Sequence, residues 1–345
     1  MAVLQNKRVM WLDALRIMAC LMVCLNHGPV MYVGTTVVTK THVAYYALVT
    51  GANVFLMISG ALLLPVTKPW CVFLKRRMAV VLWPLAIWTV IYLTDKALHN
   101  TLTAGDILTL LWRPANGILW YVYMTVVVYL TLPAASLLIE RIGTRGVRIY
   151  LTMWLLSSLI PFQHGFLAGL QPPQHPLSFF YNCYGYVVLG HYLRHHPLPI
   201  STKHALWIVP AMLAGLVGMP YVEFYLQTEI SWQEHLAAVY NNMSVNAVII
   251  ATIMFTAMQH IVPNTYGDNT TVRRVLTSIS DATFGIYLMH MLVMERAVAP
   301  LLAQWATTTS SITAGVAAGA ATFFLSLIVT NVLRQWRHSR YLVGR

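Results

Sequence analysis

Long apolar runs, separated by short polar segments, make up most of the sequence. A transmembrane helix needs about 20 consecutive, mostly apolar residues. Ten runs approach that length, and they lie near residues 10–31, 43–65, 78–94, 118–139, 147–161, 178–193, 204–220, 244–262, 280–299 and 312–333. The pattern predicts an all-α, polytopic membrane protein with about ten transmembrane helices, in which residues 1–345 form one membrane domain.

The composition agrees with a surface that faces lipid. Hydrophobic residues make up 58% of the chain and charged residues only 9%, whereas a soluble domain is about one-quarter charged. The net charge of +12 does not indicate nucleic acid as a partner, because the basic residues fall between the apolar runs. Membrane lipids are the expected surroundings. The 4 cysteines show no metal-ligand spacing, so we expect no metal site.

The distribution of lysine and arginine predicts the orientation. If the N-terminus is cytoplasmic, then of the 22 basic residues 18 lie on the inner side and 4 on the outer side, namely Lys40, Lys96, Arg113 and Arg296. Cytoplasmic loops of membrane proteins carry an excess of Lys and Arg. An even number of spans places both ends of the chain on the same side, so we expect both termini in the cytoplasm.

The first apolar run carries two ionisable groups on one predicted helix face. Arg16 and His27 are eleven residues apart, which is within about 20° of three full helical turns and corresponds to roughly 16 Å along the axis. Asp13, one turn before Arg16, can pair with it. A histidine at this depth suits proton transfer, because the unperturbed pKa of imidazole is about 6.5. The structural alternative is that Arg16 reaches the inner interface and His27 bonds a neighbouring helix.

A basic cluster, Lys75, Arg76 and Arg77, precedes the third run. Arginine forks are well shaped for phosphate groups, so the cluster is a candidate clamp for the phosphates of a cytoplasmic anionic cofactor such as CoA. The alternative is an ordinary anchor at the inner face of the membrane.

The segment SISDATFGIYLMH leads into the ninth run, and its last residue is His290. Ser280 or Asp281 is expected to cap the start of the helix, and His290 then lies roughly 14 Å further along it, near the middle of the membrane. Ionisable groups inside a span are candidates for function. His290 is therefore a candidate for substrate binding, with an ordinary hydrogen bond between helices as the alternative.

Two further segments contribute candidate substrate-binding residues. Trp120 and Tyr121 begin the fourth run from the outer side, where they can form either an interfacial aromatic belt or a surface on which a sugar stacks. Asn53 opens NVFLMISGALL in the second run, a segment that also holds Ser59 and Gly60. The small residues of that run favour close packing between helices.

Taken in order, these segments resemble the acyltransferase-3 family of integral membrane acyltransferases. The matching segments are LDALRIMACLMVCLNHG with its spacing of Arg16 and His27, then VFLMISGALL, KRRMAVVLWP, LWYVYM and FGIYLMH. They span most of the chain, and the arginine–histidine spacing is the most specific of them. Among members of the family, the chain is most similar to the short bacterial O-acetyltransferases that modify surface polysaccharide or its lipid-linked precursor.

The resemblance implies a multi-pass enzyme of the bacterial inner membrane that takes an acetyl or other short acyl group from cytoplasmic acyl-CoA. The acceptor would be a hydroxyl of an extracytoplasmic glycan or of its lipid-linked precursor, and acetyl-CoA would be a donor substrate rather than a tightly bound cofactor. His27 would match the essential histidine of the family and Arg16 its partner. Arg76 and Arg77 would match basic residues near the donor.

The residues themselves leave a second class of protein open, a transporter or flippase for a lipid-linked sugar with Arg16, His27 and His290 lining its path. About ten spans with few buried charges suit such a protein too. Transporters are often built from paired repeats with broken helices, and the sequence shows no such pair.

Overall fold

A computed structural model describes residues 8–28, 48, 50–158, 182–207, 210, 243–263 and 271–344. Within these residues the regular structure is helical and contains no strand, which confirms the all-α class. The helices are Met10–Asn26 (α1), Gly51–Leu63 (α2), Trp70–Leu98 (α3), Ala104–Leu108 (α4), Trp120–Ser157 (α5), Tyr184–His195 (α6), Val245–Ile261 (α7), Thr271–Val293 (α8), Ala299–Ala306 (α9), Ser311–Leu333 (α10) and Arg340–Val343 (α11). A 3-10 turn, Gly117–Leu119, precedes α5, and a π-helical segment, Met294–Val298, joins α8 to α9.

Among the described residues, 4 helical segments are long and apolar enough to cross a membrane: Trp70–Leu98, Gly117–Ser157, Thr271–Ala306 and Ile312–Leu333. By length and composition these segments fit a membrane protein. The helices α2 and α7 are apolar but shorter, and most of the predicted run 204–220 lies outside the described residues. The number of about ten spans and the cytoplasmic position of both termini stay predictions.

The range of α5 covers the predicted fourth and fifth runs, which form two helical stretches that meet at Gly143. The helical course is interrupted at Gly143, whose φ of 59° lies in the left-handed region. Glycine adopts this conformation at little cost because it has no Cβ. The polar segment that separates the two apolar runs in the sequence is therefore a very short connection, in which Gly143 alone leaves the helical conformation.

The chain clusters into two compact units, with one boundary just after Gly143. The first unit contains α1, α2, α6, α7, the part of α5 from Arg145 and the part of α8 up to Ser280. The second unit contains His27 and Gly28, α3, α4, the part of α5 up to Thr144, the part of α8 from Asp281, and α9 to α11. That residues 1–345 form one domain stays a prediction.

Small residues bring the helices of the first unit into backbone contact. A Cβ added to Gly60 of α2 would meet the carbonyl of Val187, and one added to Gly190 of α6 would meet the carbonyl of Met57. The contacts are reciprocal, so α2 and α6 pack closely along a shared line, as small residues permit. This agrees with the packing role expected for the small residues of the second run.

In the second unit the C-terminal helix packs against α3. The indole nitrogen of Trp88 donates to the Leu342 carbonyl at 2.8 Å, and the rings of Trp83 and Tyr341 meet edge to face at 5.7 Å. Farther along α3, the hydroxyl of the buried Tyr92 donates to a carbonyl of α8, that of Leu288, at 2.9 Å. These contacts fix α8, which carries His290, against α3.

Candidate active site

Two histidines predicted from separate apolar runs lie side by side in the second unit. His27 follows directly after the end of α1 at Asn26, and His290 lies in the last turn of α8. Their ring centroids are 5.1 Å apart, with the planes tilted by 41°. His290 is fully buried, whereas His27 is only partly buried. The pairing of these two imidazoles is the central feature of the candidate site.

A backbone hydrogen bond determines the tautomer of His290. Its Nδ1 lies 2.6 Å from the carbonyl oxygen of Tyr287. A carbonyl can only accept, so Nδ1 must carry the hydrogen, and we infer that Nε2 of the neutral ring carries the lone pair. This Nε2 is buried and has no hydrogen-bond partner among the described residues. The ring therefore offers a buried acceptor in a place where an unpaired polar atom is costly.

Aromatic side chains enclose His290. The ring of Tyr287 is 5.6 Å from that of His290 and 5.4 Å from that of Tyr121, and Tyr121 contacts Trp120 edge to face at 6.1 Å. The Tyr287 hydroxyl donates to the carbonyl of Ile118, in the turn before α5. Two candidate substrate-binding residues, Trp120 and Tyr121, thus share one aromatic cluster with His290.

A contact between two glycines holds the backbone beside His27. A Cβ added to Gly28 would collide with the carbonyl of Gly315 in α10, and it would lie only 3.0 Å from the Gly315 Cα. Only glycine lets the two backbones approach this closely. The contact of Gly28 with Gly315 consequently fixes the position of the adjoining His27 backbone.

In the first unit, Arg16 belongs to a polar cluster built around Asp13. The buried Asp13 carboxylate accepts from Arg8 Nε at 2.6 Å, from the Ser280 hydroxyl at 2.6 Å and from Arg16 Nη1 at 3.4 Å. Arg16 Nη1 also donates to Ser280 Oγ at 3.2 Å. The expected pair of Asp13 and Arg16 is present. Arg8 was expected only as part of the inner-side charge, and it makes the shorter contact with Asp13.

The expectation that Ser280 or Asp281 caps a helix is wrong. The helix begins at Thr271, so both residues lie inside α8. Ser280 bonds Asp13 instead, and Asp281 forms an ion pair with Arg334 at 3.6 Å. The first turns of α8 are polar, so the helix begins well before the apolar run from which its start was predicted.

The remaining candidates are the basic cluster of Lys75, Arg76 and Arg77 and the buried Asn53, and they lie on α3 and α2. Lys75, Arg76 and Arg77 lie in the second turn of α3; the first two are exposed and Arg77 is partly buried. No ion pair between these three and an acidic side chain occurs within the described part of the chain, which leaves their charge available to an anion. Asn53 is fully buried in α2 of the first unit.

Ion pairs join the predicted outer ends of α3 and its neighbours. Asp95 accepts two hydrogen bonds from Arg296, at 2.9 and 2.8 Å, and Lys96 Nζ donates to Asp106 at 2.6 Å. Asp106 also closes a capping box with Thr103 at the start of α4. The Lys96 ammonium, followed by the Thr103 hydrogen bonds, holds the pKa of the Asp106 carboxyl well below its usual range.

Sequence reasoning missed Tyr287, Gly28 and Gly315. A signal existed for Tyr287, which stands one helical turn before His290 in FGIYLMH and so shares its face. No signal existed for the two glycines, because their importance follows from a contact between distant parts of the chain.

Together these features define an all-helical membrane protein with a pair of adjacent imidazoles, one fully and one partly buried, that is suited to proton transfer. Its class follows from comparison with known families. The acyltransferase-3 profile, which describes an acyltransferase domain, matches residues 9–331. The chain belongs to this family and is a membrane acyltransferase. No curated protein and no solved structure matched it.

Proposed function

We propose that this acyltransferase moves an acetyl, or another short acyl group, from cytoplasmic acyl-CoA to a hydroxyl of an extracytoplasmic glycan or of its lipid-linked precursor. The proposal places it in the bacterial inner membrane with both termini cytoplasmic. The observation that carries it is the His27–His290 pair, with ring centroids 5.1 Å apart. A hydroxyl is a poor nucleophile until a base takes its proton, and histidine is the side chain most often used for this purpose.

The proposed reaction is direct transfer with His27 as general base. His27 takes the proton of the acceptor hydroxyl while the oxygen attacks the thioester carbonyl. The new carbon–oxygen bond forms, the carbon–sulfur bond breaks, and the CoA thiolate leaves with the proton that His27 returns. An acyl-histidine intermediate is the disfavoured variant, because direct attack needs no protection of an acyl-enzyme from water.

The environment of His290 supports a role in positioning the acceptor. Its Nε2 lone pair is buried without a partner in the described structure, so a second hydroxyl of the acceptor sugar, other than the one that attacks, satisfies an otherwise unpaired atom by donating to it. Trp120 and Tyr121 lie in the adjoining aromatic cluster, where a sugar ring can stack. His27 and His290 then contact different hydroxyls of one sugar, His27 the attacking hydroxyl and His290 a neighbouring one.

The donor side of the proposal depends on charge. Lys75 and Arg76 are exposed on α3 and Arg77 is partly exposed, so the cluster can bind the phosphates of CoA as charge-assisted hydrogen-bond donors. A role for Arg16 as partner of His27 depends on their spacing in the sequence and on the family resemblance. Asn53 as a substrate contact depends on the sequence alone.

The test is transfer activity after conservative replacement of each histidine. His27→Gln keeps a hydrogen-bonding group but cannot take a proton at neutral pH, so we expect a loss of about 10²–10⁴-fold in rate. His290→Gln should give a smaller loss, expressed mainly as a higher KM for the acceptor. His195→Gln, at an exposed position in α6, is the matched control. Near-normal glycan acylation by His27→Gln at normal protein levels would exclude this mechanism.

Binding of CoA is the sharper test against the transporter alternative, which family membership already disfavours. Acetyl-CoA should raise the melting temperature of the purified protein, because a ligand that binds only the folded state stabilises it. Mass spectrometry of envelope glycans from cells with and without the gene then identifies the sugar and the hydroxyl. A transporter would neither respond to acetyl-CoA nor change glycan acylation.

A further inference from the structure

An apolar cavity of about 660 Å³ lies wholly within the first unit. Its walls come from α5 after Gly143, from α6, from α7 and from the segment between Leu198 and Ala205. The lining is almost entirely hydrocarbon. The volume falls in the range of about 300–1,000 Å³ that is typical of small-ligand sites, and the proposed acyl-transfer reaction does not use this cavity.

Two polar groups of the lining differ from the rest. Arg148 is exposed, and its Nε donates to the Tyr192 hydroxyl at 3.0 Å, an orientation that leaves its terminal amino groups for another acceptor. Thr256 is only 4% exposed, and its hydroxyl has no hydrogen-bond partner among the described residues. By contrast, the hydroxyl of Thr252, one turn earlier, donates to Val248 at 2.7 Å.

The charge around the cavity is of one sign. The three described segments that line it, 144–158, 184–207 and 243–263, contain no aspartate or glutamate. They carry four permanent cations, Arg145, Arg148, Arg194 and Lys203. Of these only Arg148 lines the cavity itself, and a low-dielectric cavity whose described lining carries a positive charge and no negative one favours an anionic ligand that has a large apolar part.

We propose that this cavity binds one acyl chain of an anionic glycerophospholipid, with Arg148 on the phosphate and the Thr256 hydroxyl donating to an ester carbonyl. The predicted orientation places Arg148 on the inner side of the membrane, so the ligand comes from the cytoplasmic leaflet. A polyprenyl chain has no ester carbonyl for Thr256, and CoA has many polar groups that this lining cannot satisfy. The proposal does not depend on the acyl-transfer reaction.

The experiment measures lipid binding to the purified full-length protein by native mass spectrometry and by thermal unfolding in mixed micelles. Phosphatidylglycerol should bind and stabilise, and phosphatidylethanolamine should bind about tenfold or more weakly. Arg148→Ala should remove that preference, because a charge-assisted contact is lost. Thr256→Val should weaken the binding of phosphatidylglycerol several-fold. Arg145→Ala and Thr252→Val are matched controls that should leave binding unchanged.

Several results would overturn the proposal. Equal binding of the two phospholipids would remove the need for an anion site. If Arg148→Ala and Arg145→Ala had equal effects on binding, the preference for the anionic lipid would come from general surface charge and not from a specific contact. Displacement of phosphatidylglycerol by inorganic phosphate, by polyprenyl phosphate or by acetyl-CoA would assign the site to another ligand. Unchanged binding in Thr256→Val would leave its buried hydroxyl without the proposed role.

Discussion

Replacing Gly28 by alanine should impair catalysis through the backbone of His27. The added Cβ would stand 2.8 Å from the carbonyl carbon of Gly315 and 3.0 Å from its Cα, whereas carbon atoms prefer about 3.5–4.0 Å. The two backbones must therefore separate by about 0.5–1 Å. Overpacking of this kind costs about 1–3 kcal/mol of stability.

The effect on rate should exceed the effect on stability. Gly28 adjoins His27, so a displacement of that size moves the imidazole relative to His290, and a misplacement of about 1 Å can cost on the order of 100-fold. We expect kcat to fall about 10–100-fold, while the affinity for acetyl-CoA stays unchanged because the proposed phosphate site lies on α3. The assay is transfer to the acceptor in proteoliposomes, at matched amounts of folded protein.

Gly117→Ala is the control for this substitution. A Cβ at Gly117 would meet no atom within 4 Å, so the variant tests the exchange of glycine for alanine without a collision. Unfolding temperature and acetyl-CoA binding report whether each variant is folded. If Gly28→Ala turns over like the wild type and like Gly117→Ala, the glycine contact does not position His27.

Three further predictions concern the donor, the orientation and the ion pairs. The double variant Arg76→Ala, Arg77→Ala should raise the Kd for CoA, since each charge-assisted contact is worth about 1.5–3 kcal/mol. Arg141→Ala is the control. An unchanged Kd in the double variant would mean that the two arginines only anchor the helix at the membrane surface. Topology reporters at the C-terminus and between the predicted seventh and eighth runs, in residues 221–243, should give opposite readings. Identical readings would contradict the ten-span prediction. Because the folded pKa of Asp106 is depressed, its stabilising contribution is present above its ordinary pKa near 4 and disappears as pH falls through the folded value. The melting temperatures of wild type and Asp106→Asn should accordingly differ at pH 7 and converge in strong acid; a difference independent of pH would contradict the assignment.

The sequence predicted the class of the fold better than the ends of its elements. Hydrophobic periodicity identifies where a helix is buried in lipid, but α8 begins at Thr271 with a polar stretch that carries no such signal. Likewise, the polar residues around Gly143 suggested a loop, whereas the two helices are separated there by a single non-helical residue. Ion pairs within one helix can be predicted from the spacing of the residues, as the pair of Asp13 and Arg16 shows.

The candidate site was predictable as a set of residues but not as an arrangement. His27, His290, Trp120 and Tyr121 each stood out as a polar or aromatic residue in an apolar run. Their assembly depends on tertiary packing between segments far apart in the chain, which no local pattern encodes. The tautomer of His290 was equally hidden, since it follows from one backbone hydrogen bond.

The different environments of the two histidines favour His27 as the base. Protonation would place a positive charge on the ring. At His290 that charge would be fully buried among aromatic and apolar side chains, where an ion without a counter-charge is costly. His27 is partly exposed, so solvent or the substrate can share the charge formed during transfer. His290, with Nδ1 committed to the backbone, is better suited to accept a hydrogen bond from a neighbouring hydroxyl of the acceptor than to take the proton of the attacking one.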